Sequence, residues 1–183
     1  MTWLDHLTAI LVGTVVVAIA AGVVLTRAST ASEETQAYAT EAARDAFVDQ
    51  AKMDFENLGA GRLAGEAPVL AHDSTRVLFR TIADGAGSRA TVEYRLVSAD
   101  SSGAPPYHLE RWADGVRAGG SAGLVRAFEL GWVDAAGASV PFADPALRGV
   151  EVWIEWEVPY GGEHLPRLGW GSTIHPAPLR LAG

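Results

Sequence analysis

The feature that most constrains this chain is an apolar segment without charges, residues 7–25, which begins close to the N-terminus. Its nineteen residues, at about 1.5 Å each in a helix, extend about 28 Å, and the hydrocarbon core of a bilayer is roughly 30 Å thick. The six residues before it are too few for a folded domain. The sequence therefore predicts a transmembrane helix over residues 1–27 that holds a domain on the other side of the membrane.

A cleaved secretory signal is the alternative interpretation of this segment. Such signals have a basic leader, an apolar core of about 7–15 residues and a cleavage site with small residues. Here the first six residues contain no Lys or Arg and the apolar run is longer, although residues 28–31 would suit cleavage. We therefore favour the anchor. By the positive-inside rule, Arg27 favours a cytoplasmic location for the domain that follows the helix. A basic leader that once preceded Met1 and was then removed would have set the opposite orientation.

Composition restricts the remaining chemistry. The chain of 183 residues has room for the helix and one domain, and its six Trp, five Phe and four Tyr can fill a core. The absence of Cys excludes disulfides, thiolate metal sites and a thiol nucleophile. The net charge is −8 and no basic stripe is present, so nothing in the sequence indicates nucleic-acid binding.

The segment after the apolar run is also predicted to be helical. Residues 27–57 contain no Gly or Pro, and apolar residues recur at steps of three and four on one face: Ala43, Phe47, Ala51, Phe55 and Leu58. We expect one helix over residues 2–58, about 85 Å long at 1.5 Å per residue, whose amphipathic part packs on the sheet of its own domain through Phe47, Ala51, Phe55 and Leu58. A coiled coil is the alternative, but the apolar step is nearer 3.7 than 3.5 residues.

The rest of the chain has the pattern of short antiparallel strands. Apolar and polar residues alternate in five segments, with turn residues between them such as those at 84–87 and 161–162; the segments are residues 77–82, 91–97, 107–112, 125–133 and 150–158. A long helix followed by these strands predicts an α+β fold. The expected organisation is residues 1–27 as the transmembrane helix, 28–58 as its amphipathic continuation and 59–183 as a β-rich domain.

Three features of the chain resemble the type IV pilin and pseudopilin superfamily, especially minor pilins of the W kind and pseudopilins of the J kind. The sequence Met1-Thr2-Trp3-Leu4-Asp5 leads directly into the apolar helix, with Asp5 at the position where this family has an acidic residue. Residues 51–61 are similar to the family's acidic helix end and small-residue turn. The order of strand motifs between residues 94 and 158 is similar as well.

This resemblance implies a pilin-like fold and a function. The chain would be a structural subunit of a type IV pilus or type II secretion-like filament, with Met1 processed and N-methylated. Its partners would be other pilin or pseudopilin subunits, an assembly platform protein and the membrane before assembly. It would lie in the inner or cytoplasmic membrane with its domain outside the cytoplasm, and then in an extracellular or periplasmic filament.

Asp5 is the assembly residue that this resemblance singles out. An ionised carboxylate is costly inside a bilayer but less so toward its edge, so from the residues alone Asp5 lies among lipid headgroups. The resemblance implies instead that it pairs with the α-ammonium group of a neighbouring subunit's Met1.

Nothing in the sequence predicts a catalytic, cofactor or metal site. The five His are dispersed, His72-Asp73-Ser74 is contiguous rather than a spatial triad, and the glycines at 115–123 do not open a helix. Glu151, Glu155 and Glu157 are typical of a solvated strand face. We therefore expect no enzyme and no cofactor.

An alternative function depends on where three tryptophans lie. Trp153, Trp156 and Trp170 would form a sugar-binding shelf if they were exposed together, although core packing is the commoner role of Trp. That arrangement would favour a membrane-anchored extracytoplasmic binding or hydrolytic domain unrelated to filaments.

Overall fold

The structure is a computed structural model that describes residues 3–63, 65–82, 88–100, 102–157 and 168–180. In the first helix, side chains are described for Trp3 and, apart from positions 16 and 33, from Thr14 onward. The predicted turns at 84–87 and 161–162 and the last residue of the segment 150–158 lie outside the described residues. The chain divides into two units, Met1–Ala42 and Ala43–Gly183, each of which is described by itself.

Helix α1 spans Trp3–Glu56. Its middle is rich in Ala, and its hydroxyl side chains bond to carbonyls of the preceding turn, as in Thr26 to the carbonyl of Gly22 at 2.9 Å. Such bonds keep polar side chains compatible with a helix interior. The helix ends at Glu56, and in the turn after it Gly59 takes a φ of 80°, a left-handed conformation that glycine adopts without strain.

The fold class predicted from the sequence, α+β with a membrane-spanning first half in a pilin-like arrangement, was wrong. Within the described part of the chain, no helix is long and apolar enough to cross a membrane. Thr26 and Arg27 end the apolar run on its C-terminal side. The predicted pilin-like fold class depended on a membrane-spanning first half of the helix, and it is therefore not supported.

Most of the second unit is one eight-stranded antiparallel sheet. Its strands are β1 (Val69–His72), β2 (Arg76–Ile82), β3 (Arg89–Ser98), β4 (Tyr107–Ala113), β5 (Val116–Gly120), β6 (Val125–Val133), β7 (Gly149–Trp156) and β8 (Leu168–Ile174). A short helix, α2 (Ala177–Arg180), follows. The strand order is β1-β2-β3-β4-β6-β7-β8, with β5 paired to β4.

Strand β4 joins the two halves of this sheet. It pairs with β3 along its whole length, whereas its pairing with β6 consists of Tyr107 opposite Val125. The hairpin partner β5 occupies the remainder of that edge. The sheet therefore has two well-paired halves, β1–β5 and β6–β8, that share an inner face and an outer face.

The core lies between the inner face of the sheet and the end of α1. The ring of Phe55 packs against Phe79, at 5.0 Å between centroids, and against Tyr94, at 5.6 Å, and these two rings also contact each other at 6.4 Å. Alternate residues of β2, β3 and β7 complete this layer, including Val77, Val92, Val152 and Ile154. The period of two residues along each strand explains why these side chains point inward together.

Replacing Phe55 by alanine is expected to lower the free energy of unfolding by about 3–5 kcal/mol, because it removes a buried ring and leaves a cavity. Met53 lies in the same helical turn with an exposed side chain. Met53→Ala is the matched control and should change stability by less than about 0.5 kcal/mol. Urea unfolding measures both, and equal effects would contradict a core role for Phe55.

Candidate functional site

Met1 and Asp5 are the residues predicted for processing and for the assembly contact, and the structure describes the side chain of neither. Met1 lies outside the described residues. Asp5 lies within α1, but its side chain is outside what the structure describes. Their predicted contact in a filament therefore remains a prediction.

Between Val15 and Leu25, the described side chains of the first unit include an exposed apolar set. Six aliphatic side chains are between about half and three-quarters exposed: Val15, Val17, Ile19, Val23, Val24 and Leu25. Single exposed apolar residues are common on protein surfaces, but a contiguous run marks an interaction surface. We call these six residues the apolar helix segment.

The four residues predicted to pack on the sheet are all buried. Phe47, Ala51, Phe55 and Leu58 belong to the core cluster of the second unit. The ring of Phe47 meets Tyr94 edge-on at 6.1 Å between centroids. These contacts place the end of α1 across β2 and β3.

Sequence reasoning missed the polar centre of this contact, Asp54. Its carboxylate is buried and accepts hydrogen bonds from Tyr94 at 2.6 Å, from Arg111 at 2.5 and 2.9 Å, and from Gln50 at 3.0 Å. We call Asp54, Tyr94, Arg111 and Gln50 the helix anchor. The signal was present, because Asp54 follows Ala51 by three positions and therefore lies on the apolar face.

The electrostatics of the helix anchor follow from this geometry. Burial raises the pKa of Tyr94 well above its ordinary value, and the negative charge of Asp54 adds to that effect. The hydrogen bonds to Asp54 raise the pKa of Arg111. Tyr94 therefore stays neutral and Arg111 stays charged, as a buried carboxylate with paired donors requires.

His72 and Asp73, which are adjacent in the sequence, each form hydrogen bonds with other residues of the second unit. His72 accepts a hydrogen bond at Nδ1 from Trp132 Nε1 at 3.1 Å, and its ring meets Trp132 and Phe142 edge-on. Asp73 bonds to Thr75 and to Arg76, and these bonds lower its pKa to about 2.

The carboxylate of Asp73 thus accepts hydrogen bonds within its own turn. His164 lies outside the described residues, as does the side chain of His6. Among the residues that the structure describes, no group of three His, Asp or Glu is placed to hold a metal ion.

The predicted Trp shelf does not form as a set of three. Trp156 is buried in the core, and Trp170 packs against the core from β8 opposite Ile154. Trp153 points to the outer face and is 43% exposed. Glu151 lies beside it on the same face, while Glu155 is largely buried.

An open trough of about 620 Å³ runs over this outer face of β6–β8. Its lining includes Glu129, Gly131, Glu151, Trp153 and Gly171. It combines one aromatic ring, two carboxylates and two glycines, which suits recognition of a polar group with a flat face.

Comparison with known proteins yields no relative: no protein-family model, no curated protein and no solved structure matches this chain.

Replacing Arg111 by alanine is expected to lower the free energy of unfolding by about 3–5 kcal/mol, because Asp54 would remain buried without its cation. Arg117 forms an ion pair with Glu110 at 3.0 Å, but its side chain is 60% exposed. Arg117→Ala is the control, with an expected loss below about 1 kcal/mol. Urea unfolding of both variants tests this, and a similar small loss for Arg111→Ala would show that the anchor contributes no more than a surface pair.

The stability of the domain is expected to decline in acid through His72. Burial lowers the pKa of His72, while Asp73 acts weakly in the opposite direction. Because the unfolded chain then binds more protons, this contribution is complete above about pH 6.5 and is lost as the pH falls through the lower folded pKa. Melting curves between about pH 7.5 and pH 5 should show this decline, and His72→Asn should reduce it. Identical pH dependence in both proteins would contradict the role of His72.

Proposed function

We propose that this chain is a structural subunit of a type IV pilus or type II secretion-like filament, in the role of a minor pilin or pseudopilin. Its partners are other subunits that pack against its N-terminal helix, and the assembly platform that adds them. Its working location is the extracellular or periplasmic filament. The proposal needs a helix that associates with other helices, and it does not require one that crosses a membrane.

The observation that carries this proposal is the apolar helix segment. Removing aliphatic side chains from water is favourable by about 25 cal/mol for each Å² buried. Ile19 is 62% exposed and Leu25 is 71% exposed, so a partner that covered these side chains would release much of this free energy on binding. Helices of neighbouring subunits are a partner that would cover such a segment along its length.

The helix anchor supports the same role from the other end of α1. A subunit whose helix is held in a filament must transmit force from that helix to its surface domain. The last turns of α1 are tied to the sheet by a buried ion pair and by stacked rings, rather than by a flexible linker. These contacts keep the end of the helix on its own sheet under tension.

The proposal includes the contact implied for Asp5. In a filament core, an unpaired carboxylate would cost several kcal/mol, so Asp5 requires a cation such as the N-terminal ammonium group of a neighbour's Met1. This contact would set the axial position of one subunit against the next.

Replacing Ile19 by lysine is expected to lower recovery of the chain in sheared filaments more than tenfold, because assembly would bury an unpaired ammonium group. Thr30 lies eleven positions further along α1, close to the same helical face, and is exposed. Thr30→Lys is the matched control and should assemble like the parent chain. Quantitative immunoblotting of sheared filaments against whole cells measures both.

Thermal melting of each variant shows whether the domain remains folded, which both substitutions should allow. Full incorporation of the Ile19→Lys variant would contradict assembly through the apolar helix segment. Absence of the parent chain from every filament preparation would contradict the proposed role and favour an extracytoplasmic binding or hydrolytic domain.

A further inference from the structure

One cluster on the outer face of the sheet holds an arginine over a tryptophan. Trp112 on β4 lies opposite Glu93 on β3, and Glu110 precedes it by two residues on the same face. The guanidinium of Arg95 lies over the Trp112 ring at 4.6 Å and bonds to both oxygens of Glu93 at 2.6 and 2.8 Å. Arg117, opposite Trp112 on β5, pairs with Glu110. We call this cluster the Trp112 site.

The other half of the sheet repeats the acceptor part of this cluster. Trp153 on β7 lies opposite Glu129 on β6, and Glu151 precedes it by two residues on the same face. The register position of the first arginine is occupied by Gly131, and that of the second by Gly171. We call this cluster the Trp153 site. Like the Trp112 site, it has one tryptophan and two glutamates at corresponding positions, but glycine stands in place of both arginines.

The groups of the Trp153 site are free to meet a ligand. Neither Glu129 nor Glu151 makes a hydrogen bond or an ion pair with any residue that the structure describes. The indole ring lies on β8, where a Cβ at Gly169 or Gly171 would clash with it, whereas Gly131 carries no side chain over β6. The exposed ring is thus held in place by β8, with two unpaired carboxylates beside it on β6 and β7.

We propose that the Trp153 site binds the guanidinium group of an arginine side chain presented by a neighbouring protein subunit. A guanidinium stacks on an indole face and bonds to carboxylates in one plane, which an ammonium ion or a sugar does not do together. Two unpaired carboxylates give the site a charge that an arginine complements. The identity of the donor as a filament subunit rests on the proposed function, whereas binding of the guanidinium does not.

The first test uses L-argininamide as the probe and the full-length protein. The indole Nε1–H resonance of Trp153, assigned by its loss in Trp153→Phe, should shift saturably on titration. L-lysinamide should bind at least about threefold more weakly, because it does not stack in one plane with the carboxylates. An equal response to lysinamide, or a response to methyl glucoside instead, would overturn the proposal.

Gly131→Arg provides a sharper test, because it places an arginine at the register position that Arg95 holds in the Trp112 site. The nearest atom to its Cβ is the flexible end of Glu151, at 2.9 Å. This variant should occupy its own site and reduce argininamide binding at least about tenfold. Glu151→Gln removes one carboxylate with little change of shape, and should weaken binding at least about threefold even if the first variant folds poorly.

Arg95→Gly combined with Arg117→Gly is the matched control for the repeat, because both arginines pair with carboxylates of the Trp112 site. It should open the Trp112 site and produce a second shifting indole resonance, that of Trp112, while the response of Trp153 remains. No change in argininamide binding by Gly131→Arg or Glu151→Gln, or no new response in the variant with both Arg95→Gly and Arg117→Gly, would overturn the inference.

The filament assay separates this inference from the proposed function. Gly131→Arg should lower incorporation into filaments while leaving thermal melting unchanged. Argininamide binding with no filament association in the parent chain would contradict the proposed function alone. Full incorporation of Gly131→Arg would contradict a filament subunit as the donor, and a chain that joins filaments but does not bind argininamide would contradict the Trp153 site alone.

Discussion

The buried ion pair between Asp54 and Arg111 is the interaction on which the arrangement of the helix end and the sheet depends. Removing two charges from water is costly, and their attraction offsets this cost only when every remaining hydrogen-bonding position is used. Here Tyr94 and Gln50 supply the other donors. A helix end rotated by a fraction of a turn would bury the carboxylate without them. The pair therefore fixes the rotation of the end of α1, within the second unit, more strictly than its apolar contacts do, since ring packing tolerates small shifts.

Parts of the fold with a clear period were predictable from the sequence. The five predicted strand segments correspond to β2, β3, β4, β6 and β7, and the predicted helix of residues 2–58 is observed as Trp3–Glu56. Strands β1, β5 and β8 were not predicted. β1 has four residues, and β5 and β8 each contain two glycines, which are depleted in strands. The side chain of Trp153 covers Gly169 and Gly171 of β8, so a tertiary contact supplies what these residues lack.

The candidate site was less predictable, because it depends on pairs of strands. Trp153 and Trp156 are three residues apart, so on one strand they must face opposite sides, and this much the sequence alone contained. The partners of Trp153 come from register, which places Glu129 opposite it and leaves Gly171 on its other side. Asp54 was missed for a related reason: its position on the apolar face was visible, but the arginine that neutralises it lies 57 residues away on β4.

The alternation of strand residues links the two faces of the sheet and gives the outer surface its rigidity. On β4, the side chain of Arg111 points inward to Asp54, while the neighbouring residues Glu110 and Trp112 point outward. On β7, buried Val152 and Ile154 likewise flank the outward Trp153. A backbone held by inward side chains cannot shift without disturbing the core, so the outward groups keep their spacing without a ligand. Binding at such a surface requires little ordering of the protein, and more of the interaction free energy remains for affinity.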